Sequence, residues 1–282
     1  MGKFDRVLLA SDFDNTLVYT QGALDAGLTE LPPLPARSRE ALEYFTQNGG
    51  FFSVSTGRAL PAFARYAAEL PINAPCIIAN GAGLYDFRTE EYVYTAFLHE
   101  ETRAHVAVLL ERFPQLPFEI YHTDRRIHAM HPNRFIINHE HLTRAKTVTI
   151  ESFDEVDFPL VKLLFEDERD ALDEVADYIR AQSWGGEYEL IYSGDHLLEM
   201  TARGATKGGM VLRLAEKLGV ARKDVYCFGD HSNDISMAEV SAVRFAPANA
   251  IEEMKALPEM HIVSHCADGA VADVIEALDK TY

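Results

Sequence analysis

The feature that most constrains this chain is a rhythm near its start. A short apolar run, a polar tip and an amphipathic stretch follow one another three times. Val7-Leu8-Leu9-Ala10-Ser11, Phe51-Phe52-Ser53-Val54-Ser55 and Cys76-Ile77-Ile78-Ala79 are brief and apolar, as buried strands are. Their tips are Asp12-Phe13-Asp14-Asn15-Thr16-Leu17, Thr56-Gly57-Arg58 and Asn80-Gly81-Ala82-Gly83. Ser38 to Gln47, with Ala41, Leu42 and Phe45 on one face, predicts a helix, as does Ala59 to Leu70 before Pro71. Residues 18–36, holding Gly22, Gly27, Pro32, Pro33 and Pro35, predict a loop or flap. Alternation of this kind favours a parallel sheet with crossover helices. In such sheets functional groups gather beyond the carboxyl ends of the strands.

The rhythm stops near residue 83 and returns after Thr206. The returning part holds a helix over Lys207 to Leu218 and the strand Val225-Tyr226-Cys227-Phe228, tipped by Gly229-Asp230-His231-Ser232-Asn233-Asp234. A helix over Ile235 to Val240, strands at 243–246 and 261–264, and a closing helix from Ala270 follow. Between the two parts lie paired strands and helices without the parallel rhythm, including Phe118-Glu119-Ile120-Tyr121, 126–130, 161–165, 189–192 and 197–200. The expected organisation is therefore an α/β core of residues 1–83 and 203–282, with an α+β module of residues 84–202 inserted.

Lys and Arg number 26 and Asp and Glu 44, a formal charge of −18. That surface repels nucleic acid and anionic membranes, so neither is expected as a partner. An anionic substrate then needs local positive charge or a metal. The three cysteines form no metal knuckle. No signal-peptide pattern and no run of membrane-spanning length is present, and a reducing cytoplasm is the expected location.

The polar tips share one chemical use. Asp12 and Asp14, two apart in extended backbone, project to one side. Two like charges so close require a cation or a proton between them. Three carboxylates can hold Mg²⁺, which prefers oxygen ligands. A hydroxyl and an ammonium can hold phosphate oxygens, and a remaining carboxylate can attack phosphorus. Taken singly, each tip is also an ordinary turn or helix cap.

In order along the chain, the Asp12–Leu17 stretch, Ser55-Thr56-Gly57-Arg58, Lys207-Gly208 and Gly229–Asp234 resemble the four motifs of the haloacid dehalogenase superfamily. Ile78-Ala79-Asn80-Gly81-Ala82 and the position of the insertion resemble its type IIB, Cof-like subclass, to which sucrose-phosphate phosphatases and phosphomannomutases belong. Asn15 departs from the pattern, where the family more often has Gly, and the 18–35 flap is longer than usual for the subclass. The resemblance implies a Rossmann-like core under a large cap, and these roles. Asp12 is the nucleophile and a metal ligand. Asp14 is the general acid and then the base, with its main-chain carbonyl on Mg²⁺. Thr56 binds the phosphoryl group, Lys207 neutralises it, and Asn80 helps shape the phosphate site. Asp230 and Asp234 complete the Mg²⁺ shell, with Asn233 supporting them. Arg58 is expected either on phosphate or in a structural pair. A carboxyl at Asp14 favours phosphoryl transfer over dehalogenation, since only the former needs an acid there. A raised pKa on Asp14, beside a second carboxylate, would suit that acid.

Residues 121–146 reverse the chain's sign locally, with five basic residues against two acidic ones. Arg125, Arg126 and His128, with Asp195 and His196 in a later turn, are the candidate substrate contacts of the cap, or else a solvated face. The expected activity is Mg²⁺-dependent hydrolysis of a small phosphorylated metabolite, such as a sugar phosphate, through an aspartyl phosphate, by a monomer or homodimer. A phosphomutase and a non-catalytic binding protein on the same fold remain alternatives.

Overall fold

A computed structural model describes residues 2–28 and 30–282; residue 1, in the expected core, and residue 29, in the expected flap, lie outside the described residues. The chain opens with β1 (Leu8–Ser11), then α1 (Thr20–Asp25), α2 (Ala36–Gln47), β2 (Phe51–Val54), α3 (Leu60–Ala67) and β3 (Cys76–Ile78). β4 (Gly83–Asp86) and β5 (Glu91–Thr95) follow. Then come α4 (Thr102–Arg112), β6 (Phe118–Tyr121), β7 (Ile127–Met130), α5 (Arg134–Thr143), β8 (Val148–Thr149), β9 (Lys162–Glu166), α6 (Arg169–Ala181), β10 (Tyr188–Gly194) and β11 (Leu197–Ala202). The chain closes with α7 (Lys207–Leu218), β12 (Val225–Phe228), α8 (Ile235–Val240), β13 (Arg244–Pro247), α9 (Glu252–Lys255), β14 (Met260–Val263) and α10 (Ala270–Thr281). No helix among the described residues is long and apolar enough to cross a membrane.

The main sheet is parallel throughout, in the order β14-β13-β12-β1-β2. Both faces are covered, as a parallel sheet requires. Phe13, Phe45, Phe52, Phe63, Val274 and Leu278 pack on one face, and Leu8, Ile77, Met210, Val211, Leu214 and Met237 on the other. All three cysteines are free and buried. β3 meets this sheet only through a parallel bridge between Ser55 and Ile77. It then turns back into an antiparallel sheet with β4 and β5. Leu84 packs with Leu8 and Ile77, and Tyr85 with Phe13 and Phe63. Residues 84–95, expected in the insertion, thus share their apolar packing with the parallel sheet.

The second body is a six-stranded sheet, β10-β11-β9-β6-β7-β8, antiparallel except for the β7–β8 pair. Side chains alternate across a strand. Phe118, Ile120, Leu163, Phe165, Leu198 and Met200 therefore fall on one face, under Val106 and Leu109 of α4 and Leu172, Val175 and Ile179 of α6. Glu119, Tyr121, Lys162, Leu164, Glu166, Leu197 and Glu199 fall on the other, which faces the parallel sheet. Tyr121 and Leu164 there pack with Ala79 and Ala82 from the tip of β3.

That tip adopts left-handed backbone. Asn80 has φ 53° and Gly81 φ 103°. A methyl on Gly81 would run into the carbonyl of Thr206. Thr206 caps α7, its hydroxyl accepting the Gly209 N–H at 3.0 Å, and so sets where Lys207 begins the helix. Gly81→Ala should lower the unfolding free energy by about 1–3 kcal/mol, read from urea unfolding. An unchanged urea midpoint would contradict this account of the turn.

Candidate active site

The strand tips converge as the topology demands. Asp12 follows β1, and its N–H donates to the Phe228 carbonyl of neighbouring β12 at 2.8 Å. Asp230 and Asp234 follow β12, and Lys207 opens α7. The Lys207 Nζ donates to Asp12 Oδ1 and to Asp234 Oδ1, each at 2.6 Å, with all three side chains buried. The other Asp234 oxygen accepts the backbone N–H groups of Asp230 at 3.0 Å and His231 at 3.2 Å. Asp234 is thus fully engaged in orienting the lysine and the loop. Its carboxyl lies so close over Gly229 that no β-carbon would fit there. Asp230 Oδ1 accepts the Thr16 hydroxyl at 2.7 Å.

Electrostatics follow from this packing. Burial works against the Lys207 ammonium, but Asp12 and Asp234 outweigh it and hold the group protonated, above the usual lysine range. Burial, with repulsion from Asp234, Asp230 and Asp14, raises Asp12 well above the usual carboxylate value despite Lys207. Burial and Asp234 push Asp230 up to about 7, against Thr16 and Lys207. Asp12, Asp230 and Asp234 each offer an oxygen within 4.8 Å of the others. Three ionised carboxylates and one ammonium sum to −3 + 1 = −2. The donor set is all oxygen and its charge is that which one divalent cation balances, so these residues fit Mg²⁺.

Asp14 departs from the sequence reading. β1 ends at Ser11, just before the two carboxylates, and Asn15 just after them has φ 55°. Arg58 grips the Asp14 carboxylate with two hydrogen bonds, Nε to Oδ2 at 2.8 Å and Nη2 to Oδ1 at 2.7 Å. The Thr20 hydroxyl adds a third at 2.7 Å. Burial raises the Asp14 pKa, but Arg58 and Thr20 outweigh it and hold the group below the usual carboxylate range. The raised pKa expected at Asp14 is found instead at Asp12 and Asp230, because only Asp14 has a bidentate cation of its own. The Asp14 carboxylate lies outside the trio of Asp12, Asp230 and Asp234; its expected ligand atom was the main-chain carbonyl.

Thr56 is wholly buried, its hydroxyl accepting the Arg58 N–H at 3.1 Å. Asn80, expected at the phosphate, is a strut. Its Nδ2 donates to Glu199 Oε1 at 2.7 Å, and its Oδ1 accepts from Asn233 Nδ2 at 2.9 Å. Glu199 also receives the Ser193 hydroxyl at 2.8 Å and Lys162 Nζ at 2.9 Å. A buried polar chain therefore runs from the Asn233 loop through Asn80 into β11 and β9.

A cleft of about 360 Å³ lies between the bodies, lined by Asp12, Asp14 and Asp230 on one side and by Tyr121, His139, Lys162, Leu164 and Glu199 on the other. The cap residues singled out in the sequence do not line it. Arg125 and Arg126 are exposed in the β6–β7 turn, where Arg126 pairs with Asp124 at 2.6 Å. His128 lies opposite Ile120, on the helix-covered face, and its ring meets His122 at 3.1 Å. Asp195 and His196 are exposed at the β10–β11 turn, with His196 stacked on Phe135. The charged strand residues that do reach the cleft, Lys162 and Glu199, carried a sequence signal not used above: each is a lone charge alternating with buried apolar residues, as Glu119 and Glu166 are, buried on the same sheet face.

The family model described as haloacid dehalogenase-like hydrolase matches residues 9–275. The chain belongs to that family. It is 24% identical to a 5-amino-6-(5-phospho-D-ribitylamino)uracil phosphatase of Bacillus subtilis, over 97% of this chain and 99% of the relative. Among solved structures it resembles a haloacid dehalogenase-like hydrolase from Bacteroides thetaiotaomicron, with a TM-score of 0.79, 22% identity, and coverage of 97% of this chain and 100% of the other. It likewise resembles the subclass IIB sugar phosphatase BT4131, with a TM-score of 0.79, 20% identity, and coverage of 97% and 99%. The fold is therefore that of capped subclass IIB members, and the enzyme is a phosphatase of the family.

Lys162→Met would leave Glu199 charged, buried and without its cation, which should cost about 3–5 kcal/mol of stability. Lys162→Met/Glu199→Gln should recover part of this, because Gln still accepts from Asn80. Chemical denaturation of both variants checks it; a double variant less stable than the single one would refute the pairing.

Proposed function

We propose that this phosphatase hydrolyses a small, soluble phosphomonoester in two steps through Asp12. A carboxylate oxygen of Asp12 forms a bond to phosphorus while the bond from phosphorus to the leaving alcohol breaks. Water then attacks the phosphorus of the aspartyl phosphate, and Asp12 leaves with its electron pair. Asp14, held ionised by Arg58 and Thr20, suits the base that takes the proton from that water. That proton passes on to solvent, because Arg58 and Thr20 hold Asp14 ionised; the proton that the leaving alcohol takes in the first step arrives with the substrate as its monoanion, relayed by Asp14. Lys207 supplies positive charge beside the attacked phosphoryl group, and Thr56 supplies a hydroxyl donor. Asp12 and Asp230 would hold Mg²⁺, with Asp234 behind them. The ion would neutralise the phosphoryl charge and orient it for in-line attack.

The observation that carries this reading is the 2.6 Å bridge from Lys207 to Asp12 in a buried carboxylate cluster open to a metabolite-sized cleft. The far wall offers Tyr121, Ile127, Leu164 and Leu197 beside Lys162, Ser193 and Glu199. That mixture suits a leaving group with hydroxyls on one side and an apolar face on the other, as in a sugar or sugar-alcohol phosphate. The phosphoribitylaminouracil phosphatases among the relatives act on such a compound by name.

Phosphate release should be measured on a panel of sugar, sugar-alcohol and nucleotide phosphates, with and without Mg²⁺. Asp12→Asn should lower turnover roughly a thousandfold or more. Sugar phosphates isomerised without phosphate release would replace hydrolysis by a mutase reaction. Full activity in Asp12→Asn would remove the nucleophile from this account.

A further inference from the structure

The cleft face of the cap sheet carries a second cluster that the reaction does not use. Glu119 on β6, His139 on α5 and Glu166 at the end of β9 bring one donor atom each to within 4.8 Å of one another. Both glutamates are buried, at 2% and 0% exposure, and His139 is largely so. The His139 Nδ1 stands 3.1 Å from Glu119 Oε2 and 3.3 Å from Glu166 Oε1. One ring N–H cannot serve two carboxylates. Glu119 has a further donor in the Tyr121 hydroxyl. Glu166 has none, and both of its carboxylate oxygens are buried without a hydrogen bond. The nearby candidates are spent elsewhere. Lys162 donates to Glu199, and the Asn133 amide donates to the backbone carbonyl of Glu166 rather than its carboxylate.

A buried carboxylate with no donor is costly. Burial raises its pKa against the pull of His139. Burial in turn works against a charged His139, and the two glutamates together still push it up to about 10. The cluster is thus one positive charge short of neutral, with lone pairs on both carboxylates and a third that the His139 Nδ1 offers once its proton leaves. We propose that Glu119, His139 and Glu166 bind a divalent first-row transition ion, separately from the carboxylates of the core. One imidazole and two carboxylates suit such ions, whereas Mg²⁺ and Ca²⁺ favour all-oxygen shells. Ligand bonds of about 2.0–2.2 Å fit donors at this spacing. On binding, the ion replaces the proton on His139, which leaves to solvent, and the site becomes neutral. Tyr121 orients Glu119 from behind, as outer hydrogen bonds commonly do at metal sites. The ion ties α5 to β6 and β9 and fixes the His139 ring in the cleft wall.

The test is Zn²⁺ titration calorimetry on the full chain with Mg²⁺ in excess, so that Mg²⁺ occupies the core carboxylates. Wild type should take up about one Zn²⁺ that Mg²⁺ does not displace. Glu166→Gln and His139→Gln should each weaken that uptake at least tenfold, with Asp230→Asn leaving it intact. Glu119→Gln substitutes for either cap variant that fails to fold, judged by circular dichroism. X-ray absorption of the Zn²⁺-loaded protein should show an imidazole shell that His139→Gln loses. No uptake by wild type under excess Mg²⁺, or equal uptake by the folded cap variants, overturns the proposal and leaves the phosphatase reading untouched.

Discussion

The buried ammonium of Lys207 is the charge around which the core is arranged. Without it, Asp12 and Asp234 would face each other and Asp230 in a water-poor site. That is costly unless a cation or a proton stands between them. Three parts of the fold have to meet for the bridge to exist. β1 must lie beside β12, α7 must start at Thr206, and the loop after β12 must fold Asp234 back over Gly229. The Gly81 turn presses on Thr206 and so belongs to the same arrangement. The parallel sheet is the only element here that brings tips so far apart in sequence to one edge.

Beside this bridge stands a second ion pair. Arg58 and Asp14 largely neutralise each other, so Asp14 adds only a minor repulsion to the carboxylate trio. The two aspartates, two residues apart in the sequence, end in opposite electrostatic states. One is pushed up by burial and its neighbours; the other is held down by a guanidinium and a hydroxyl.

Much of this was legible in the sequence, for physical reasons. Strands at Phe118–Tyr121 and Val225–Phe228, and helices at Lys207–Leu218 and Ile235–Val240, fall where apolar period and end signals place them. The convergence of Asp12, Lys207, Asp230 and Asp234 follows from parallel alternation alone. What was not legible depends on tertiary choice. α1 sits within a Gly- and Pro-rich stretch expected as a loop, and α5, capped by Asn133, lies in a stretch read only for its charge. β4 and β5 look like the start of an insertion by pattern, yet their apolar residues are claimed by the core. The cap contacts were sought among clustered basic residues, and clustering favours turns and solvent. The charges that reach the cleft are isolated ones inside apolar strands, where alternation sends them to the face opposite the helices.

The seam between the bodies, from Asn233 through Asn80 and Glu199 to Lys162, is polar and buried. An apolar seam of equal area would resist separation, because water gains nothing from entering it. This one behaves differently. Parting it breaks the Asn80–Glu199 hydrogen bond but leaves the Lys162–Glu199 pair intact within the cap, and hydration of the newly exposed pair offsets part of what is lost. The join is therefore specific in register yet shallow in depth. It indexes the cap to one position over the core, while the resistance to lifting it away rests chiefly on the apolar packing of Tyr121 and Leu164 against Ala79 and Ala82.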